Sequence, residues 1–501
     1  MTLRQPENKI EEPEDKDVYS ASPVQQIFDK QKLEKFEEES RQLEQHQQQE
    51  QLIKYYGEID KKRWLVRFLI IAAVGLVLST KVYLLIFKID PLTGLYGFIA
   101  TFLIFSAFFF SYTRYRDPVI RSQHAARLSD SSQEQQQKQP FVSVIIAAKN
   151  DPVIIKQGVH SILSSSYSKI EIILVNDGST DETGKVMDLL FKENVEKIKV
   201  VQLSKNIGKR KAIYEGIKQG KPRGEIILFM DSDTFVDRMA IERLVTCFND
   251  PNVGAVTGTS IPSNRDENVL TKMQDTWYDG SFAIMKGMEG SFGSVTCCSG
   301  VLSAYRKEAI MPCLDDWSND KFLGIEFRAG DDRQLTSYVI GGNKHYINSG
   351  NRVWKTRYCQ SAIAYSEVPS TMKKFIIQQI RWKKSWIRTF IFTAPFYYKN
   401  RSPIAAAIYY LQMVLSFLGP IVATRNLILM PLEGHFAAPV MYLGGLMFIS
   451  LLFALEFRFR YPNSGNRWMY RILVTLLSIN VLSSLLYYAA LTIRRNKWGT
   501  R

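Results

Sequence analysis

The sequence predicts an α/β domain with a mostly parallel sheet, carried between groups of membrane-length apolar helices. Two observations predict it. From Pro140 onward, short β-rich runs (FVSVIIAA, EIILVND, KVVQLS, EIILFMDSD, GAVTGTS) alternate with helix-length stretches, the pattern of parallel strands joined by right-handed crossovers. The apolar residues, 46% of the chain, are bunched into 64–113, 403–456 and 472–493, while 1–62 and 121–140 are almost wholly polar.

Length and charge narrow the class. The chain has 501 residues, room for roughly two to four domains. The bunching excludes a simple soluble protein, a disordered chain and a collagen-like repeat. Five cysteines, without C-x-x-C spacing, argue against a disulfide framework or zinc site and for a reducing compartment. The net charge is +15, and Arg352–Arg401 holds eleven Lys/Arg against one acid, Glu367. Because membrane-length runs follow at 403, this stripe reads as a face toward anionic lipid rather than a nucleic-acid site.

Taken in order, residues 1–62 (EEPEDKD, then RQLEQHQQQEQ) predict a polar cytoplasmic arm, disordered and then marginally helical; a coiled-coil arm is the alternative. The acidic start predicts no cleavable signal peptide. Within 63–116, Trp64–Phe87 and Leu92–Tyr112 each supply the roughly 20 apolar residues a span needs. They form a hairpin across KIDP. Lys61, Lys62 and Arg63 before it, with Arg114, Arg116 and Arg121 after it, put both ends in the cytoplasm. The α/β domain, 140–370, is then cytoplasmic, and its ligands belong beyond the carboxyl ends of the strands. Amphipathic interface helices follow at 371–400. Transmembrane or interfacial helices occupy 403–493, with spans at Ile404–Thr424 and Ala437–Glu456. Ile472–Ile493 has basic flanks on both sides, which suits an interfacial or re-entrant segment better than a span. The tail 494–501 is cytoplasmic.

Five constellations carry chemistry. Asn176-Asp177-Gly178-Ser179-Thr180-Asp181 follows the strand IEIILV, where a carboxylate and a tight turn suit a polar ligand; an Asx turn is the ordinary reading. Asp231-Ser232-Asp233 ends another apolar strand. Alternate residues of an extended segment share a face, so both carboxylates suit one Mg²⁺ or Mn²⁺ bridging to a diphosphate. Gly330-Asp331-Asp332-Arg333 offers a general base for a hydroxyl or a salt-bridged helix start. Gln378, Arg381 and Trp382 share a helix face in QQIRW, suited to a diphosphate and a stacked sugar or to a headgroup-level interface helix. Asn206-Ile207-Gly208-Lys209-Arg210 places basic residues at a helix start that suits phosphate. Cys297-Cys298-Ser299-Gly300 and Trp498-Gly499-Thr500-Arg501 are weaker, ordinarily core cysteines and a frayed tail. The order of these elements on one α/β domain is what points to a site.

With NDGSTD, NIGKRKA, DSD, CCSG followed by AYR, GDDRQLT, QQIRWKKSW and WGTR, the chain resembles the processive family 2 glycosyltransferases of the hyaluronan, chitin and cellulose synthase group. GDDRQLT, QQIRWKKSW and WGTR most resemble hyaluronan synthases. The resemblance implies a GT-A domain on a helical membrane channel, and an integral, multi-pass protein of the cell membrane with both termini cytoplasmic. It implies inverting polymerisation of UDP-sugars into a β-linked polysaccharide, most simply hyaluronan from UDP-GlcNAc and UDP-GlcA. A single-sugar chitin-type or other β-glycan, or a non-processive lipid-linked transfer, is the alternative. Carried over, Asp177, Lys209, Arg210, Asp231, Gln378, Arg381, Trp498 and Arg501 would serve the donor nucleotide, and Asp233 would hold Mg²⁺ or Mn²⁺. Asp332, beside Arg333, would be the base. Cys297, Cys298, Ser299, Gly300 and Trp382 would line the acceptor side. Partners would be the UDP-sugars, the growing polysaccharide and membrane lipid, with no nucleic acid. Asn176, where many members carry Asp, Val301, where hyaluronan synthases show Pro, and a long Lys344–Glu367 depart from the pattern.

Overall fold

The computed structural model describes residues 90–120, 139–342, 353–478 and 482–495. The arm 1–62, the expected first span at 64–87, and Trp498 and Arg501 lie outside the described residues.

The α/β domain is built on an eight-stranded sheet in the order β3-β2-β1-β4-β7-β6-β10-β5. Its strands are β1 (Val142–Ala148), β2 (Ile170–Asp177), β3 (Ile198–Leu203), β4 (Ile226–Phe229), β5 (Thr234–Val236), β6 (Val253–Pro262), β7 (Ser303–Arg306) and β10 (Lys355–Ser366). A two-stranded hairpin, β8 (Lys321–Phe322) and β9 (Ile325–Glu326), stands apart. Strands β3, β2, β1 and β4 pair in parallel, as do β6 and β10. β7 runs antiparallel to both β4 and β6, and β5 runs antiparallel to β10. This is the GT-A arrangement that the resemblance implies.

Helices cover both faces, which is why the strands read as continuous apolar runs. Alternation along β1 sends Val144 and Ile146 into one core and Ile145 and Ala147 into the other. The first core is completed by α2 (Pro152–Leu163), α3 (Thr183–Glu193) and α5 (Ala240–Thr246), and the second by α4 (Lys209–Gly220). Helices α6 (Val269–Asp279) and α7 (Gly287–Ser291), joined by a π-helical turn at Gly280–Lys286, and α8 (Asp331–Ser337) build the remaining walls.

Among the described residues, three helices are long and apolar enough to cross a membrane: Pro91–Ile120, Pro403–Leu432 and Ala437–Arg460. Their regular cores are α1 (Pro91–Thr113), α10 (Pro403–Thr424) and α11 (Ala437–Arg460). Asp90, before α1, pairs with Arg425, after α10, at 2.7 Å, so these two run antiparallel. Tyr115, Arg401 and Arg460 at the opposite ends all bond into the α/β domain. Between domain and membrane helices lies α9 (Met372–Asn400), one continuous helix through Pro395. Its Phe375 meets Trp277, and Trp386 meets Phe417 of α10.

The last apolar run contains two short helices, α12 (Tyr470–Leu477) and α13 (Leu485–Leu491). Its two basic flanks each bond to another element: Arg467 pairs with Asp275 of α6 at 3.1 Å, and the Arg495 carbonyl accepts from Lys384 of α9 at 3.0 Å.

Candidate active site

The site forms at the carboxyl ends of β2 and β4. Asp177, the last residue of β2, is buried. Its Oδ1 accepts from the Ile207 amide at 2.7 Å and its Oδ2 from the Gly208 amide at 3.0 Å. The carboxylate thus braces the loop that starts α4. Gly178 at φ 61° passes so close to the Lys205–Asn206 backbone that a Cβ would collide with it, so glycine is required there.

That loop delivers Lys209 to the acids. Its ammonium is ion-paired with Asp231 and lies 3.6 Å from Asp331 Oδ2. Although burial opposes the charge, Asp231, Asp331 and Asp332 hold the Lys209 pKa well above its ordinary value. Reciprocally, burial pushes Asp331 up, and Lys209, Arg210 and Arg381 outweigh it and hold the carboxyl below the usual range.

Asp231-Ser232-Asp233 is not the extended segment expected from the sequence. The strand ends at Phe229, and the Thr234 amide donates to the Asp231 carbonyl at 3.2 Å, closing a turn. The side-chain alternation argument therefore fails here. Burial raises the Tyr278 phenol, and the charges of Asp233 and Asp231 add to that rise. Asp233 also accepts from Ser366 at 3.4 Å, while Ser232 turns away to donate to Asp151 at 2.9 Å. Among the described residues, no three His, Cys, Asp or Glu side chains are grouped to hold a metal.

Asp332 is the second residue of α8, which starts at Asp331 behind Gly330, whose φ is 70°. Its Oδ2 accepts from the Gly300 amide at 3.1 Å and lies 3.8 Å from Cys297 Sγ, and its Oδ1 caps the Arg333 amide at 2.7 Å. Gly300 also reaches the donor-side acids: a Cβ there would meet Asp231 Oδ1 at 3.1 Å and Lys209 Nζ at 3.3 Å. A single glycine thus separates Asp231 and Lys209 from Asp332. Burial lifts the Cys297 thiol to about 11, so it is a neutral wall rather than a nucleophile.

The α9 face closes the pocket. Arg381 acts electrostatically on both Tyr278 and Asp331. The Trp382 ring lies 6.2 Å from both Trp277 and Tyr278 and is 37% exposed, an aromatic surface open on one side. Gln378 Oε1 is buried without a hydrogen-bond partner, an acceptor that a ligand donor would satisfy.

Several expected residues stand elsewhere. Arg210 turns from the pocket, 3.6 Å from Asp320 and 5.9 Å above the Trp317 ring. Cys298 is wholly buried; its amide donates to Thr336 Oγ1 at 2.9 Å, so its side chain is core. Ser299 is half-buried, and its amide donates to Thr257 at 3.1 Å. Burial opposes the Arg333 charge, and the Asp332 and Glu289 carboxylates are among the groups that hold it. Sequence reasoning missed Asp331 as the second partner of Lys209. It also missed Trp277 and Tyr278, hidden in the unremarkable amphipathic stretch VLTKMQDTWYD, and Lys286, whose ammonium donates to the Cys297 carbonyl.

Comparison with known proteins fits this geometry. Residues 143–313 match the model of glycosyl transferase family 2. The chain is 30% identical over 364 residues to the hyaluronan synthase of Streptococcus pyogenes, covering 72% of this chain and 82% of that one. It is 30% identical over 373 residues to an N-acetylglucosaminyltransferase of Azorhizobium caulinodans, covering 72% and 87%. A second N-acetylglucosaminyltransferase, from Rhizobium leguminosarum bv. viciae, is 32% identical over 258 residues, covering 51% and 58%. The chain therefore belongs to glycosyl transferase family 2 and is a GT-A glycosyltransferase resembling hyaluronan synthase.

Proposed function

We propose that the protein is a membrane-embedded, processive, inverting glycosyltransferase that polymerises UDP-sugars into a β-linked polysaccharide and passes it out between its own helices. The product we favour is hyaluronan, made from UDP-GlcNAc and UDP-GlcA. The observation that carries the reading is the Gly300 bridge. It holds a candidate base, Asp332, beside the Asp231–Lys209 pair, with the open Trp382 surface on the α9 wall.

The residues suit one displacement at one centre. Asp177 and the loop it braces, with Lys209 and Asp231, would take the nucleotide end of the donor. Asp233 and Asp231 supply hard oxygen donors that fit Mg²⁺ or Mn²⁺. Two carboxylates leave positions on the ion for diphosphate oxygens and water, as Mg²⁺ commonly prefers. The ion would supply charge to the departing diphosphate. Arg381, and Gln378 through its Nε2 amide group, would donate to that diphosphate as negative charge grows on it. An acceptor sugar resting on Trp382 would present its hydroxyl to Asp332, which removes the proton as the new C–O bond forms. In a single displacement the acceptor oxygen bonds to the anomeric carbon as the bond to the diphosphate breaks, with no covalent enzyme intermediate, so an α-linked donor gives a β-linked product.

Direct release through hydrocarbon would strip a polysaccharide's hydroxyls of water without replacement, which favours export between α1, α10 and α11. The basic residues at the domain-side ends of the spans, Arg114, Arg116, Arg401, Arg458 and Arg460, favour a catalytic domain on the cytoplasmic side of the cell membrane. A chitin-type product from one donor is the second reading, favoured by the two N-acetylglucosaminyltransferase relatives.

The test is purified protein in sealed vesicles, given each UDP-sugar alone and in pairs. Polymer that needs both donors, is protected in the lumen and is degraded by a hyaluronan-specific hydrolase supports the first reading. Polymer from UDP-GlcNAc alone supports the second, and polymer found only outside defeats export by this chain. Chelation of divalent ions should stop synthesis, and added Mg²⁺ or Mn²⁺ should restore it.

A further inference from the structure

Helix α6 has two dissimilar sides. One presents Trp277 and Tyr278, the backing of Trp382. The other presents Asp275 and Asp279, one turn apart, to arginines at the end of α11 and the start of α12. Arg467 pairs with Asp275 at 3.1 Å and also with Asp266. Arg460 pairs with Asp279 at 3.1 Å and also with Glu456. Tyr461 donates its hydroxyl to Asp279 at 3.2 Å, and Tyr112 of α1 donates to Glu456 at 2.7 Å. Arg471 donates to the Thr276 carbonyl at 3.2 Å. The side chains of Arg460 and Asp279 are 1% and 9% exposed.

Three features mark this network as a positioning device. Burying ions returns little net stability compared with apolar packing of the same volume, so stability alone does not account for it. Gly280, next in the chain, lets the end of α6 press against the membrane helices: a Cβ there would meet Phe453 at 3.1 Å and Arg471 NH1 at 3.2 Å. The helix then continues as the π turn Gly280–Lys286, an irregularity frequent at functional sites. That turn ends at Lys286, which holds the Cys297 carbonyl, and Cys297 Sγ lies 3.8 Å from Asp332. One unbroken stretch of chain thus connects the membrane helices to the base.

We propose that Arg460 is a positioning residue: through Asp279 it fixes the acceptor-side wall, Trp277, Tyr278 and Cys297, against the membrane helices. The inference rests on the polymerising reading above, and it adds a role in transfer to the acceptor and in chain length, separate from donor binding.

The test compares full-length wild type with Arg460→Met, Asp279→Asn and Arg460→Lys, measuring UDP release, polymer length, donor KM and Tm. A displacement of about 1 Å costs on the order of 100-fold in rate, so Arg460→Met and Asp279→Asn should lower polymer kcat by about ten- to 100-fold and shorten the product. Donor KM should stay within about twofold, and the share of UDP released without transfer should rise. Arg460→Lys, which keeps the charge, should recover most of the length. Where a single change leaves a buried charge and prevents folding, the triple variant Asp279→Asn/Glu456→Gln/Arg460→Met removes all three charges of the cluster and carries the same expectation. Wild-type kcat and length in a folded Arg460→Met or triple variant overturns the proposal, as does a loss that Arg460→Lys fails to relieve. Wild-type protein that makes no polymer from any donor pair refutes the polymerising reading itself.

Discussion

The Gly300 amide donates to the Asp332 carboxylate at 3.1 Å. This bond aims one oxygen of Asp332 without neutralising it, because a backbone N–H carries no full charge. The second oxygen is spent on the Arg333 amide at the start of α8. Asn at position 332 keeps the shape and one acceptor but cannot take a proton. Asp332→Asn should therefore lower transfer by about 10²–10⁴-fold, with donor KM and Tm close to wild type. Activity within tenfold of wild type would move the base elsewhere.

Gly300 itself is a spacing element. A Cβ would lie 3.1 Å from Asp231 Oδ1, 3.3 Å from Lys209 Nζ and 3.4 Å from Asp231 Oδ2, and the methyl would also shield that ion pair from its ligand. Gly300→Ala should raise donor KM more than it lowers kcat, the reverse of the Asp332→Asn pattern. Initial-rate kinetics over a range of donor concentrations separates the two. An unchanged KM would show that the Asp231–Lys209 pair does not face the donor.

Much of this site is legible in the sequence because its residues sit where strands end, and strand ends are visible as apolar runs that stop at Asp177 and shortly before Asp231. The helix starts at Lys209 and Asp331 are likewise marked, each by a preceding glycine at positive φ. What is not legible is direction. Lys209 and Arg210 are adjacent and both basic, yet helical geometry turns successive side chains about 100° apart, so one meets Asp231 and the other meets Asp320. The same limit applies to Cys297 and Cys298. Strand β7, only four residues long and antiparallel, has no periodicity long enough to declare itself. Asp275 and Asp279 look like solvated helix charges until α11 and α12 are packed against them.

Burial raises the Asp275 carboxyl to about 6 from an ordinary 3.8, outweighing the nearby Arg265 and Arg467 guanidinium groups. The folded chain therefore holds a proton on Asp275 that the unfolded chain has already released between about pH 4 and 6. Stability should fall as pH rises through that window and reach its full cost above about pH 6, on the order of 3 kcal/mol at 1.36 kcal/mol per pH unit. Asp275→Asn cannot titrate and should flatten this slope. Thermal unfolding of both proteins in detergent at pH 4.5 and pH 7 reads it: relative to wild type, the variant should gain at pH 7. An equal shift at both pH values would mean that Asp275 titrates normally.

Trp382 is 37% exposed, yet its ring lies 6.2 Å from Trp277 and from Tyr278. Truncating a well-buried Trp costs about 3–5 kcal/mol, but this ring is partly exposed and its contacts with Trp277 and Tyr278 are both tilted, each worth about 0.5–1.5 kcal/mol. Trp382→Ala should therefore lower Tm modestly while removing the surface on which an acceptor sugar rests. The expected result is UDP release that continues with short products, since the donor groups Asp177, Lys209 and Asp231 are untouched and water can replace the missing acceptor. Trp382→Phe, which keeps an aromatic face, should restore most of the length. If Trp382→Ala makes polymer of wild-type length, the acceptor does not rest on this ring, and the product leaves by a route that the α9 face does not line.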